Sequence, residues 1–123
     1  MKTILITGIG GLTPRSIAKI IREKHPDYKL IGCDIDKKAV GFFMNGLLDK
    51  HFICPRCTST DYFPWIEKLV ADEKIDYAFV QPEAEIVEWG AYYDQNGKYP
   101  CPVFMGSKLL SEYFDNLLRL SFS

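Results

Sequence analysis

Short apolar runs alternate along this chain with segments in which apolar residues recur at helical spacing. The alternation starts with Lys2–Thr7, a β-branched apolar run that predicts a first strand. Isoleucines then recur at helical spacing, and they follow a threonine that can cap a helix and a proline suited to its first position, Thr13 and Pro14. We therefore predict a first helix from this pair to about Lys24.

The same alternation continues along the rest of the chain. Further strands are predicted over 29–34, 51–54, 75–80 and 102–105, and further helices over 36–48, 63–73, 83–93 and from 107 onward. Gly41 and Gly46 weaken the second helix. Strands that alternate with helices build a parallel sheet, and right-handed crossovers favour the strand order 3-2-1-4-5. The sequence predicts an α/β fold: a Rossmann-like open parallel five-stranded sheet with helices on both faces.

Length and composition are those of one soluble domain. The chain has 123 residues, of which 47% are hydrophobic and 25% charged, and this length is sufficient for a core without crosslinks. A net charge of −1 argues against a nucleic-acid or anionic-membrane partner, since both require a basic face. No apolar run reaches the roughly 18–20 residues of a membrane span. We expect a cytoplasmic protein whose cysteines are reduced.

A glycine-rich turn follows the first strand and opens the first helix. Such a turn brings backbone N–H groups close to an anion, and the helix N-terminus adds partial positive charge. The dinucleotide fingerprint has glycine at its first, third and sixth positions. Gly8 and Gly10 fill the first two, but Thr13 stands at the sixth. Asp34 ends the second strand, where such folds bind a ribose hydroxyl.

A ligand of an open parallel sheet binds beyond the carboxyl ends of the strands, where the strand order reverses. In the predicted order this point lies between strands 1 and 4. The candidate substrate-binding residues there are Gly8, Gly10, Gly11, Arg15, Asp34, Glu83 and Glu85. Each also has a structural interpretation. The glycines permit the turn, the aspartate caps a helix, the arginine is solvated, and the glutamates stabilise a helix N-terminus.

The four cysteines do not form a recognisable metal site in the sequence. Cys54 and Cys57 have the spacing of half a zinc site, which requires four ligands. Cys33 and Cys101 are isolated, and His51 is the nearest histidine. We predict no metal, and the sequence nominates no catalytic nucleophile and base.

Several stretches together are similar to one known family. They are Lys2–Gly11, Ile31–Asp36 with Ala39–Gly41, Asp61–Val70, Phe79–Glu85 and Ser107–Leu120. In order and spacing they resemble the N-terminal, pre-ATP-grasp domain of ATP-grasp ligases, especially those like the large subunit of carbamoyl-phosphate synthase. The family's exit helix often carries an aspartate–lysine pair, where this chain has Asp115 and Asn116.

The resemblance implies the substrate-side domain of an ATP-dependent carboxylate–amine ligase. Residues 1–120 would form this domain and 121–123 a tail. The ATP-grasp domains, with their ATP and magnesium, would lie elsewhere in the full-length protein or in a separate chain. This chain would then be a split or truncated gene product, without a cofactor of its own and inactive alone. Its partners would be those domains and a small-molecule substrate.

Two other functions remain open. The first is a small NAD(P)-binding Rossmann module, similar to a truncated reductase or epimerase. The glycine turn and Asp34 favour it, but the sequence lacks a Tyr-x-x-x-Lys catalytic pair. The second is a non-enzymatic interaction domain that pairs through the aromatic-rich Trp89–Tyr99 region, with a possible homodimer.

Overall fold

A computed structural model describes residues 2–105 of the chain. Strands and helices alternate along it, apart from one crossover that contains only a 3₁₀ turn. In chain order the elements are β1 (Thr3–Thr7), α1 (Leu12–Lys24), β2 (Lys29–Asp34), the 3₁₀ turn (Val40–Phe43), β3 (Lys50–Ile53), α2 (Tyr62–Glu73), β4 (Tyr77–Val80), α3 (Glu83–Asn96) and β5 (Val103–Met105).

The strands form one parallel five-stranded sheet in the order β3-β2-β1-β4-β5. This confirms the predicted fold class and strand order. The central strand β1 is buried along its whole length. It pairs with β2 on one side, where Leu5 faces Ile31, and with β4 on the other, where Leu5 faces Ala78. The carboxyl ends of all these strands therefore meet at one edge of the sheet.

Alternating side chains along the strands build a core on each face of the sheet. On one face the strands pack against α2 and α3, and the buried residues include Leu5, Ile31, Cys33, Tyr62, Ile66, Ala78, Val80 and Trp89. On the other face they pack against α1 and the 3₁₀ segment, with Ile4, Ile6, Ile9, Ile17, Ile21, Leu30 and Phe79. The predicted helices on both faces are thus confirmed.

The segment after β2 differs from the prediction of a second helix. Only the 3₁₀ turn forms there, because its glycines are required by packing and by a turn. A β-carbon at Gly41 would lie 2.5 Å from both Cγ1 and the carbonyl oxygen of Ile9. Gly46 has a left-handed backbone, with φ of 78°. A regular α-helix would not accommodate that backbone angle.

The boundaries of two helices also differ from the predicted ones. Helix α1 begins at Leu12 with Gly11 as its N-cap, so Thr13 is not the cap. Pro14 still fits, since the first N–H groups of a helix have no partner within it. Helix α3 extends to Asn96. The predicted last helix, the domain boundary at 120 and the tail lie outside the described residues.

None of the helices within residues 2–105 is long and apolar enough to cross a membrane.

Candidate functional site

The glycine turn between β1 and α1 is closed by its own backbone. The Gly11 N–H donates to the Gly8 carbonyl oxygen at 2.9 Å. Gly8 has φ of 63°, in the left-handed region that favours glycine. A β-carbon there would lie 2.6 Å from Cγ of Pro82, which follows β4. Gly8 is therefore required both by the turn and by the close approach of the two loops.

The N-terminus of α1 leaves backbone donors available at the same edge of the sheet. Within residues 2–105, neither the Leu12 N–H nor the Thr13 N–H has a hydrogen-bond partner. The N-cap, Gly11, supplies no side-chain cap, and the first turn of α1 carries no acidic residue. The helix dipole adds partial positive charge at this position. This end of the helix is therefore suited to an anion.

Asp34, at the end of β2, reaches across to the glycine turn. Its Oδ2 accepts the Gly10 N–H at 2.9 Å, and its Oδ1 accepts the Asp36 N–H at 3.0 Å. A β-carbon at Gly10 would lie 2.9 Å from Oδ2, so this approach requires glycine. A carboxylate has about four lone-pair positions, and these bonds leave about half of them for other donors.

A cavity of about 460 Å³ opens along the carboxyl ends of β1, β2, β3 and β4. This volume lies in the range of about 300–1,000 Å³ that is common for ligand pockets. The lining residues are Gly8, Gly11, Asp34, Ile35, Cys54, Pro55, Arg56, Cys57, Thr58, Pro82, Ala84 and Glu85. The cavity lies where an open parallel sheet binds its ligand.

Among the described carboxyl groups that line this cavity, Glu85 alone is buried, with 9% of the residue exposed. The buried Tyr62 hydroxyl donates to its Oε1. Tyr62 in turn accepts the indole N–H of Trp89 at 2.9 Å. An indole nitrogen only donates, so Tyr62 accepts from Trp89 and keeps its own proton for the carboxylate of Glu85. The chain of bonds therefore fixes one oxygen of Glu85.

Burial raises the pKa of Glu85, and the charge of Asp34 raises it further. The hydrogen bonds from Tyr62 and Thr7 oppose this shift, without reversing it. Burial and the carboxylate of Glu85 also raise the pKa of Tyr62, so the phenol remains protonated as a donor. The cavity therefore contains a carboxyl group that takes up a proton more readily than a solvated glutamate.

Replacing Glu85 with glutamine is expected to change how stability depends on pH. A folded pKa above the unfolded one lets the native state bind the extra proton, so stability falls as pH rises from about 4.3, the unfolded value, through the folded pKa. The wild-type free energy of unfolding, relative to Glu85→Gln, should fall over that window and then level off. Urea titrations across pH 4–8 measure this difference.

Comparing wild type with Glu85→Gln cancels the contribution of the other acidic residues to the pH dependence of stability. Asp49 and Glu73 have lowered pKa values and lose their stabilising contribution as pH falls, but both proteins contain them. A difference in stability that stays constant, or that rises with pH, would contradict the assigned direction of the Glu85 shift.

The structure brings most of the predicted site residues together. Gly8, Gly11, Asp34 and Glu85 line the cavity, and Gly10 is bonded to Asp34 at its edge.

Besides Gly10, two other predicted residues lie outside the cavity lining. Arg15 is half-buried and folds back along α1, where its Nε donates to the Gly11 carbonyl oxygen at 3.1 Å. Glu83 is exposed in the first turn of α3.

The loop after β3 was missing from the predicted cleft. Its residues Cys54–Thr58 form part of the lining, and Arg56 is exposed, without an ion pair or hydrogen bond to its side chain within the described residues. The predicted strand order contained the signal for this. Since β3 is the neighbour of β2, the loop that follows it must lie beside Asp34.

The cysteines of this region are free thiols. A hydrogen bond with Cys54, together with burial, raises the pKa of Cys33, and burial raises that of Cys57. Both groups therefore remain protonated and weakly reactive at neutral pH. Residues 2–105 contain no group of three or more His, Cys, Asp or Glu side chains that could hold a metal ion.

One solved structure with a similar fold is dTDP-glucose 4,6-dehydratase from Bacillus anthracis, in complex with NAD. The TM-score is 0.57, the sequence identity is 11%, and the match covers 85% of this chain. The chain has a Rossmann-like fold. It spans 36% of the length of the dehydratase, and at this identity the likeness concerns the fold alone. No family model and no curated protein matches the sequence.

These findings correct two predictions. The resemblance to an ATP-grasp pre-domain, and with it the carbamoyl-phosphate synthase-like ligase, was wrong: no family model supports it, and a solved structure of similar fold is a dehydratase. The weak motifs behind it, a strand, a glycine turn and an acidic turn, are shared by many nucleotide-type α/β folds. The prediction of no cofactor is also contradicted: a protein of similar fold, the dehydratase, is in complex with NAD.

Proposed function

We propose that this chain is a dinucleotide-binding module that takes NAD at the carboxyl edge of its sheet. The observation that carries the proposal is the bond from the Gly10 N–H to Asp34. It brings the glycine turn and the acid at the end of β2 into one cavity. The likeness in fold to a protein in complex with NAD supports the same ligand.

The pyrophosphate would bind at the N-terminus of α1. The N–H groups of Leu12 and Thr13 point out of the first turn of that helix, and neither has a partner in the described part of the chain. Gly8 and Gly11 carry no side chains that would keep a phosphate from the backbone. The N-terminus of α3 is less suitable, because Glu83 and Glu85 in its first turn would repel an anion.

The adenosine would extend from this turn towards β2 and β3. Asp34 can accept the ribose hydroxyls with the lone pairs that its two backbone bonds leave. Beyond it, Ile35 is 49% exposed at the cavity and offers an apolar surface. An adenine ring there would lie between Ile35 and the loop Cys54–Thr58.

Asp34 also favours NAD over NADP. The 2′-phosphate of NADP would lie close to the carboxylate of Asp34, which two hydrogen bonds from backbone N–H groups hold in place. Arg56 lines the same cavity and could neutralise such a phosphate, but its side chain is exposed, and no hydrogen bond or ion pair within the described residues holds it in place. We expect the fixed charge to decide the preference, because like charges placed together cost several kcal/mol.

Calorimetric titration of the purified chain with NAD and with NADP tests this proposal. We expect saturable binding of NAD, with NADP at least about tenfold weaker. AMP provides a check, since it contains the adenosine but lacks the pyrophosphate, and it should bind more weakly than ADP. Heat signals that remain those of dilution for all four nucleotides would overturn the proposal.

A further inference from the structure

The cavity extends to both sides of the glycine turn. Asp34 lies at the end of β2 and Glu85 just beyond the end of β4, and these strands pair with β1 on opposite sides. If the phosphates of a dinucleotide lie at the turn, its two nucleoside halves must extend from the turn in different directions. If Asp34 takes the adenosine ribose, the other half must extend towards Glu85.

Glu85 is held in an orientation that suits a polar ligand group at the β4 side of the cavity. Its side chain is held by the Tyr62 hydroxyl at Oε1, and Tyr62 is held by the Trp89 indole. Tyr62 and Trp89 are fully buried, so the carboxyl group has little freedom to rotate away from the cavity. Such preorganisation lowers the entropic cost of binding a ligand.

We propose that Glu85 is a second binding residue of the site: it accepts a hydrogen bond from a hydroxyl or amide N–H in the non-adenosine half of the ligand. In NAD these donors are the nicotinamide ribose and the carboxamide. Tyr62 is a positioning residue that acts through Glu85. This inference rests on the proposed dinucleotide function.

Three ligands separate the contributions of the two halves. ADP contains the adenosine and both phosphates, ADP-ribose adds the second ribose, and NAD adds the nicotinamide. The variant Glu85→Gln keeps the shape of the side chain and an acceptor for Tyr62, but it removes the charge. Its matched control is Glu83→Gln, which changes an exposed acid in the same turn of α3 outside the cavity lining.

We expect Glu85→Gln to bind NAD about tenfold more weakly, because hydrogen bonds to charged groups are the stronger ones. ADP should bind within about twofold of wild type, and Glu83→Gln should resemble wild type for all ligands. An equal loss for ADP-ribose and NAD would place the contact at the ribose, and a loss for NAD alone would place it at the carboxamide.

A second variant keeps the test independent of one substitution. Tyr62→Phe retains the carboxylate of Glu85 but removes the hydroxyl that orients it. NAD should therefore bind about threefold more weakly, whereas the affinity for ADP should not change. Thermal unfolding establishes that each variant is folded. If either folded variant binds NAD as tightly as wild type, the inference is wrong although the proposed function stands. If wild type binds neither ADP nor NAD, both are wrong.

Discussion

Replacing Gly8 with alanine is expected to lower the free energy of unfolding by about 3 kcal/mol. The left-handed backbone at this position costs any residue with a β-carbon about 1–2 kcal/mol. The new methyl group would also stand 2.6 Å from Cγ of Pro82, and such overpacking costs about 1–3 kcal/mol. Relief of the clash would move the turn away from β4, so NAD binding should weaken as well. Urea denaturation and calorimetry measure the two effects.

The chain provides a matched control for the steric part of this effect. Gly97, at the C-cap of α3, has a similar φ of 72°, but a β-carbon there would meet nothing within 4 Å. Gly97→Ala should therefore cost only the backbone strain, about 1–2 kcal/mol, and leave NAD binding unchanged. Equal destabilisation by the two substitutions would show that the contact with Pro82 contributes nothing.

Replacing Asp34 with asparagine is expected to weaken NAD binding by about tenfold or more, because hydrogen bonds to a charged acceptor contribute about 1.5–3 kcal/mol. The amide oxygen can still accept the Gly10 N–H, so the turn should keep its shape. The preference for NAD over NADP should largely disappear, since the repelling charge is gone. Calorimetry with both nucleotides gives these values.

Asp36→Asn is the control for Asp34→Asn. Asp36 is exposed two residues further along, and its Oδ1 accepts the Lys38 N–H at 2.9 Å, its one side-chain bond within residues 2–105. This substitution removes the same charge close to the cavity but outside its lining. NAD affinity that falls equally in both variants would indicate a general electrostatic effect instead of a contact with the ribose.

Much of the fold could be predicted from local sequence. The strands were visible as β-branched apolar runs, and alternation with helices determined the parallel order, so β1 and β2 were placed within a residue of their observed bounds. The segment after β2 could not be predicted in this way. Its glycines are required by contact with Ile9, which is distant in sequence, and no local pattern reports such a contact.

The site was predictable where it depends on strand ends and unpredictable where it depends on side-chain orientation. The glycine turn, Asp34 and Glu85 follow directly from the strand order. Tyr62 and Trp89 hold Glu85 in place only because α2 packs against α3. Tyr62 lies 23 residues from Glu85 along the chain and 27 residues from Trp89.

The burial of its side chains also limits how the aromatic-rich Trp89–Tyr99 region could bind a partner. The aromatic-rich region that was considered for a partner contains Trp89, which is fully buried in the core, while Tyr93 is 46% exposed. Pairing between copies through this region stays a prediction, and it would have to use the tyrosines instead of the indole.

The most direct test of the central claim is an amide NMR titration of the isotope-labelled chain with NAD. We predict that the largest chemical-shift changes fall on the N–H groups of Gly10, Leu12 and Thr13, with further changes along Ile35 and Cys54–Thr58. Asp34→Asn should reduce all of them at the same nucleotide concentration. Shifts that are absent, or that fall on residues away from the carboxyl edge of the sheet, would contradict the account.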